Sequence, residues 1–306
     1  MTKDPERIRR RAAEARERLR ACDLCPRTCG NDRLAGQLGT CRIGAEAVVA
    51  GAHPHFGEEP PLVGRHGSGA IFFTGCNLHC VFCQNFDISH TRDGHSMTAE
   101  QLASVMLALQ DAGCHNVNLV TPSHVVPQIL AAFAVAVERG FDRPIVYNSS
   151  GYDALSTLWL LEGLVDIYMP DFKMWDPHQA KLYLSAEDYP AVARDAVREM
   201  HRQVGDLEVN GEGIAVRGLL VRHMVMPNGV AGSSEIFRFL ADRVCPDTYV
   251  NVMDQYRPAG YAHRFEPIER SLTRSEYSAA VDAAGQAGLR RLDPGSHRVW
   301  RVLRSP

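Results

Sequence analysis

The chain has 306 residues, 45% of them hydrophobic and 23% charged, and 33 Lys and Arg against 36 Asp and Glu give a formal net charge of -3. That length is enough to bury a full core, as one large α/β domain or two small ones. The near-balance of charge excludes any strong overall pull toward nucleic acid or an anionic membrane. No apolar run approaches the roughly 18 residues that span a bilayer, and no signal-peptide pattern precedes the first helix, so a cytoplasmic location is expected with neither nucleic acid nor membrane as a partner. Nine cysteines are present, seven of them in two close groups. Without a secretion signal, such groups mean metal more often than disulfides.

The stretch from Arg7 to Arg20 is arginine-rich, is interleaved with Glu14 and Glu17, and reads as an exposed helix. Next come Cys22, Cys25, Cys29 and Cys41, four soft ligands within twenty residues of turn-forming Gly, Pro and Asn. Four thiolates suit either structural Zn²⁺ or an auxiliary Fe–S cluster, and their spacing does not separate the two. Residues 1–47 are thus an N-terminal helix and a four-cysteine metal-binding segment. Residues 48–69 contain HPHFGEEPPLVGRHGSG, which reads as a loop-like connector lying over the main domain.

From residue 70 to 306, short apolar runs alternate with helical patterns, the signal for βαβ units and a parallel sheet. The predicted strands are Ala70–Thr74, Asn116–Thr121, Pro144–Asn148, Val165–Pro170, Gly218–Pro227 and Tyr249–Asp254. Helices are predicted over Thr98–Ala112, with Thr98 and Gln101 as a capping box, and over Val126–Glu138. Two more fall in Asp176–Gln203, and a hairpin turns around Asn210–Gly211. Six βα units suggest α/β class and a partial (β/α)6 barrel of TIM type, with a C-terminal extension. Cys114 and Cys245 are isolated and read as small core residues.

The most informative run is GCNLHCVFCQN, which carries Cys76, Cys80 and Cys83 after the first strand. Three thiolates on one loop can hold three irons of a [4Fe-4S] cube. The fourth iron would stay open to a chelating molecule, as a catalytic metal keeps one position for its reactant. Barrels of this kind gather their sites at the C-terminal ends of the strands. At those ends the sequence places Thr121, Ser123 and His124, then Asn148, Ser149 and Ser150, then Asp171 and Lys173, then Asn251, Asp254 and Gln255. Hydroxyls, amides and a Lys–Asp pair offer a polar ligand both donors and acceptors. In the fifth strand Arg222 and His223 are neighbours, so the pleat lets at most one of them face the barrel interior.

The CxxxCxFC run closing a hydrophobic strand resembles the radical S-adenosylmethionine (SAM) superfamily, and CxFCQN resembles its branch around pyruvate formate-lyase activating enzyme. DFK at Asp171–Lys173, GEEPP before the triplet and QYRP at Gln255–Pro258 are similar to the PflX-like branch of activating-enzyme homologues, over nearly the full chain. The resemblance implies an open barrel and a [4Fe-4S] cluster on Cys76, Cys80 and Cys83. It further implies SAM as cofactor, reductive cleavage of SAM to a 5′-deoxyadenosyl radical, and hydrogen abstraction from a substrate. An electron donor such as flavodoxin or ferredoxin is then required. Phe82 matches the position that lies against adenine in this superfamily. Where relatives often carry a GGE-like motif after the second strand, this chain has VTPSH at Val120–His124, so Thr121, Ser123 or His124 is expected to take that task, with Asn148, Ser150, Asp171 and Lys173 completing the SAM rim. Activation of a glycyl-radical enzyme and modification of a small molecule or peptide are both compatible with these motifs. A non-catalytic Fe–S protein is the third alternative.

Overall fold

A computed structural model describes residues 4–90 and 93–295. Helix α1 (Pro5–Glu17) starts at an Asp4 cap and leads into the turn-rich cysteine segment. Strand β1 (Ala47–His55) and the single turn α2 (Pro60–Val63) bring the chain to β2 (Ser68–Phe73). After the cysteine loop come α3 (Phe86–His90), β3 (His95–Met97), α4 (Ala99–Asp111), β4 (Val117–Val120), α5 (Val126–Glu138), β5 (Ile145–Ser149), α6 (Leu155–Leu161) and β6 (Ile167–Pro170). The second half adds α7 (Pro177–Leu184), α8 (Tyr189–Val204), β7 (Glu208–Val209), β8 (Ala215–Met224), α9 (Ser233–Arg243), β9 (Tyr249–Met253), α10 (Arg274–Gln286) and β10 (Arg291–Leu292).

The sheet runs β10-β9-β8-β6-β5-β4-β2-β1-β3, and every pairing from β2 to β10 is parallel. All six predicted strands are therefore present in a partial barrel, and β10 adds a short seventh parallel strand from the C-terminal extension. Strands β4, β5 and β6 are buried at every residue. Burial on both faces is why they read as continuous apolar runs. The faces divide the work. Val146, Ile167, Met169 and Leu220 pack together inside the open barrel, while Tyr147, Tyr168, Leu219 and Val221 pack outward into the larger helix-covered core. The residues two further along on the inner side are Asn148, Asp171 and Arg222, so the same period-2 rule that builds the inner core ends it in a polar rim. The Thr98–Gln101 capping box, the two helices of the insertion and the hairpin on β7 and β8 all form as expected.

Two expectations are corrected. The connector is not loop throughout: β1 pairs antiparallel with β2 and β3, and Pro54 is tolerated because β3 covers only Ala47–Val49, leaving an edge there. The rest of the connector plugs the barrel, with Leu62 in the inner apolar cluster and Glu59 buried. Helix α1 is not simply exposed. Ile8, Ala12 and Ala15 are buried at helical spacing, and Arg7 and Arg11 donate to the Glu162 carbonyl at 3.2 and 2.5 Å. The arginines that made the helix look solvated tie it to the end of α6.

Candidate functional site

Strand β2 delivers Cys76 to the rim through Thr74 and Gly75. Gly75 has φ +78, and a Cβ there would lie 2.5 Å from the Cys41 carbonyl oxygen, so only glycine fits this turn. Cys76, Cys80 and Cys83 line one cavity of about 260 Å³ together with Phe82, Thr121, Asn148, Ser150, Asp171, Lys173 and Arg222. The sulfurs already receive donors: the Leu78 amide lies 3.4 Å from Cys76 Sγ, and Ser89 Oγ 3.1 Å from Cys83 Sγ. Burial pushes the Cys76 thiol up to about 12, and Cys80 rises for the same reason. Such thiols ionise only when a cation replaces the proton. Three converging thiols, donors on the sulfurs and a polar cavity on the open side fit a three-ligand [4Fe-4S] cluster.

Opposite the thiols stands a charged network. Lys173 Nζ is 2.5 Å from Asp171 Oδ2, and Arg222 Nε donates to Asp171 Oδ1 at 2.7 Å. Arg222 also donates to Asn148 Oδ1 at 3.1 Å and to Glu58 Oε2 at 3.2 Å. Burial alone would raise Asp171, but Arg222 and then Lys173 outweigh it and hold the carboxyl at about 2. Lys173 stays cationic: burial works against the charge, and Asp171, followed by the nearby Cys80, more than offsets it. The Tyr189 hydroxyl donates to the Ser150 and Asp171 carbonyls and accepts from the Lys173 amide at 2.7 Å, fixing two strand ends to one another. Thr121 lines the cavity with φ +61, a strained position for a β-branched residue. Ser150 Oγ is buried with no hydrogen-bond partner, so a donor remains for a ligand.

Two expected rim residues turn away from the cavity. Ser123 is buried beside Tyr147 and Asp153, and His124 Nε2 bonds the Thr74 carbonyl at 2.9 Å. Burial, reinforced by Arg33, lowers His124 to about 3, so it is a neutral core group. The cause is the geometry after β4: the chain turns at Thr121 and only that residue faces inward. The sequence leaves Arg222 and His223 as alternatives, since the pleat lets at most one of them face the barrel interior. Arg222 faces the cavity, and His223 is buried outside against Ser233 Oγ at 2.8 Å and the Phe172 carbonyl at 2.7 Å. The signal that could have decided it was register with Asp171, whose carboxylate demands a cation from the next strand. Phe82 both lines the cavity and is buried, edge-on to Tyr256.

Cys114 is buried as expected, but Cys245 is only half-buried. Its Sγ lies 3.2 Å from Asp206 Oδ2, and His201 Nε2 lies 3.0 Å from Asp206 Oδ1. Hydrogen bonds account for this trio, which takes no part in the cavity. Cys22, Cys25, Cys29 and Cys41 are free thiols outside the cavity as well. Their segment is tied to the triplet loop by Arg27, which donates to the Asn77 carbonyl at 2.8 Å.

An open parallel barrel with three thiols at its rim defines a class, and residues 70–210 match the Radical SAM superfamily. The chain is 31% identical over 283 residues to the uncharacterized protein MJ0674 of Methanocaldococcus jannaschii, covering 90% of this chain and 77% of that protein. Streptococcus suis SuiB bound to S-adenosylmethionine has a similar fold, with a TM-score of 0.50 and 13% identity over 71% of this chain. The present chain spans about half of SuiB, 47% of its length. The chain belongs to the radical SAM superfamily. No helix among the described residues is long and apolar enough to cross a membrane.

Proposed function

We propose that this radical SAM enzyme acts on a polypeptide segment presented at the cavity mouth, and that activation of a glycyl-radical partner is the form of that chemistry closest to its motifs. The observation that carries the reading is the position of the connector. It closes the barrel floor and lines no part of the cavity, so it does not cover the strand-end side. At about 260 Å³ the cavity lies below the usual range of roughly 300–1,000 Å³ for a complete small-molecule site. Once a cluster and SAM are held there, little room remains for a small substrate as well, so the substrate approaches from outside.

In this reading Cys76, Cys80 and Cys83 hold the cluster, whose bound form supplies one-electron cleavage of SAM to a 5′-deoxyadenosyl radical. The chain's own residues supply position. Lys173 and Ser150 offer donors to a carboxylate, Asn148 and Asp171 offer acceptors to an ammonium, and Phe82 gives an apolar wall to a purine. Arg222 orients Asp171 and Asn148 rather than binding in its own right, because its guanidinium is already engaged by three protein side chains, Asp171, Glu58 and Asn148. Water is kept from the floor by Leu62 and the buried Glu59.

The test uses reconstituted protein with dithionite and SAM, given deuterated cell extract split by ultrafiltration. Deuterium appearing in 5′-deoxyadenosine from the macromolecular fraction supports a polypeptide substrate. Transfer from the filtrate alone moves the assignment to a small molecule.

A further inference from the structure

The four N-terminal thiols hold more information than their spacing in sequence. Cys25 lies within electrostatic reach of the other three, and Cys41 of Cys22 and Cys29. A Cβ on Gly39 would stand 3.1 Å from Cys41 Sγ and 3.6 Å from Cys29 Sγ, so these two sulfurs point into one space. The quartet is a single group.

Its charge environment requires anions. Arg33 is 1% exposed. Its Nε donates to the Gly44 carbonyl at 3.0 Å, and its Nη1 donates to the His124 carbonyl at 2.9 Å and lies 3.6 Å from Cys22 Sγ. Its Nη2 is buried with no partner. No carboxylate forms an ion pair with Arg33 among the described residues. A buried guanidinium without a counter-charge is strongly unfavourable, and four neutral thiols supply none. Four thiolates on a metal centre do.

Proximity then selects the metal. Cys41 lies within electrostatic reach of Cys76 as well as of Cys22 and Cys29. Zinc has no redox chemistry, whereas four thiolates also suit an iron–sulfur cluster, which does. Beside a one-electron centre, the redox-active group is the one with a use.

Position gives it a role. Four ligands leave no iron open, and the quartet lies outside the cofactor cavity, so it has no reactant to bind. Yet the Cys41 carbonyl sits against Gly75, the residue before Cys76. One van der Waals contact and one peptide link join a ligand of one centre to a ligand of the other. Cys29 is half-buried and gives the quartet an approach from solvent.

We propose that Cys22, Cys25, Cys29 and Cys41 hold a second [4Fe-4S] cluster that relays single electrons to the cluster on Cys76, Cys80 and Cys83. The relay and the choice of an iron–sulfur cluster over zinc rest on the radical SAM reading. A low-potential one-electron carrier protein of the flavodoxin or ferredoxin class reduces the outer cluster. That cluster is reoxidised as the inner one takes the electron, and no bond or proton is exchanged.

The first measurement uses the full chain purified anaerobically as C76A/C80A/C83A. It should retain about four iron and four sulfide, show an electron paramagnetic resonance signal after dithionite, and contain no zinc. A zinc-only protein, or one without metal, overturns the proposal. In the second, the C22A/C29A variant should still assemble the inner cluster and reduce it with dithionite, while reduction by the carrier protein is lost. Wild-type reduction by the carrier overturns the relay. Arg33→Met in the C76A/C80A/C83A background keeps all four thiols and serves if C22A/C29A does not fold. Removing the cation should shift the outer cluster to a more negative potential, and an unchanged potential overturns the assignment. If wild type makes no 5′-deoxyadenosine with dithionite, the radical SAM reading fails, and the iron count of C76A/C80A/C83A still decides the outer cluster.

Discussion

The triplet Cys76, Cys80 and Cys83 rides on a loop that strand β2, buried through most of its length, delivers to the rim of a polar cavity, whereas the quartet sits in a segment with almost no regular structure. The first region is positioned by burial: strands apolar on both faces fix where each inner residue ends, and the chemistry comes at the end of that pattern. The second has few apolar side chains of its own, with Leu19, Cys22 and Leu24 as its small cluster. It is held by arginines reaching neighbouring carbonyls, such as Arg27 to Asn77 and Ser185. A folded scaffold can offer an incomplete metal site and leave it open to a reactant. In the second region the proposed four-thiolate centre would take the place of a scaffold.

The largest effect should separate the two groups outright. Replacing Cys76, Cys80 and Cys83 by alanine should reduce 5′-deoxyadenosine formation under dithionite to background, while far-ultraviolet circular dichroism stays near wild type because the triplet is only a small part of the main core. Turnover resembling wild type in that variant would end the assignment of the triplet.

Metal removal should fall unevenly on the molecule. Stripping with a chelator under reducing conditions should expose the backbone of residues 22–44 to hydrogen exchange, since binding at the proposed four-thiolate centre and folding of so apolar-poor a segment are coupled. Amides of β4, β5 and β6 should keep their protection, because apolar burial holds them. Equal loss of protection in both regions would show that they form one cooperative unit and erase the contrast.

The same contrast explains what could be read in the sequence. Six parallel strands and their helices were legible because burial on both sides leaves unbroken apolar runs, and the cysteine triplet was legible because its ligands are local. The rim was legible only in part. Asn148, Ser150, Asp171 and Lys173 follow strands whose ends are marked by the pleat, and they line the cavity. Ser123 and His124 lie past a turn at Thr121 whose positive φ no composition rule announces. The connector hid β1 because His53, Pro54 and His55 lie on an edge that need not be apolar. Glu58 and Glu59, which look like surface residues in sequence, are partners of Arg222 and Asn251 inside the barrel.

Within the rim, Lys173→Met tests whether the Lys–Asp pair binds a ligand or only props the strand ends. Loss of one charge-assisted hydrogen bond is worth about 1.5–3 kcal/mol, so SAM affinity measured by equilibrium dialysis should fall at least about tenfold with iron content unchanged. Equal affinity in variant and wild type would leave Lys173 as a partner of Asp171 and nothing more.

The smallest effect concerns the outer face of the same strand that carries Arg222. Burial lowers His223 to about 4 in the folded chain, offset in part by its bond to the Phe172 carbonyl, whereas an unfolded histidine titrates near 6.5. Between those values the unfolded chain binds a proton that the folded chain does not, so the stability this group contributes is fully present above about pH 6.5. It is lost as pH falls toward 4. From pH 7 to pH 5.5 the loss should be about 1 kcal/mol, read as a lower urea midpoint by circular dichroism. The His223→Gln variant should start less stable, because Ser233 and the Phe172 carbonyl lose their partner, but its stability should fall less steeply over the same range. A pH slope identical to wild type would mean that His223 is protonated in the folded chain. The burial that defines this region would then be looser on the outer face of β8 than on the inner.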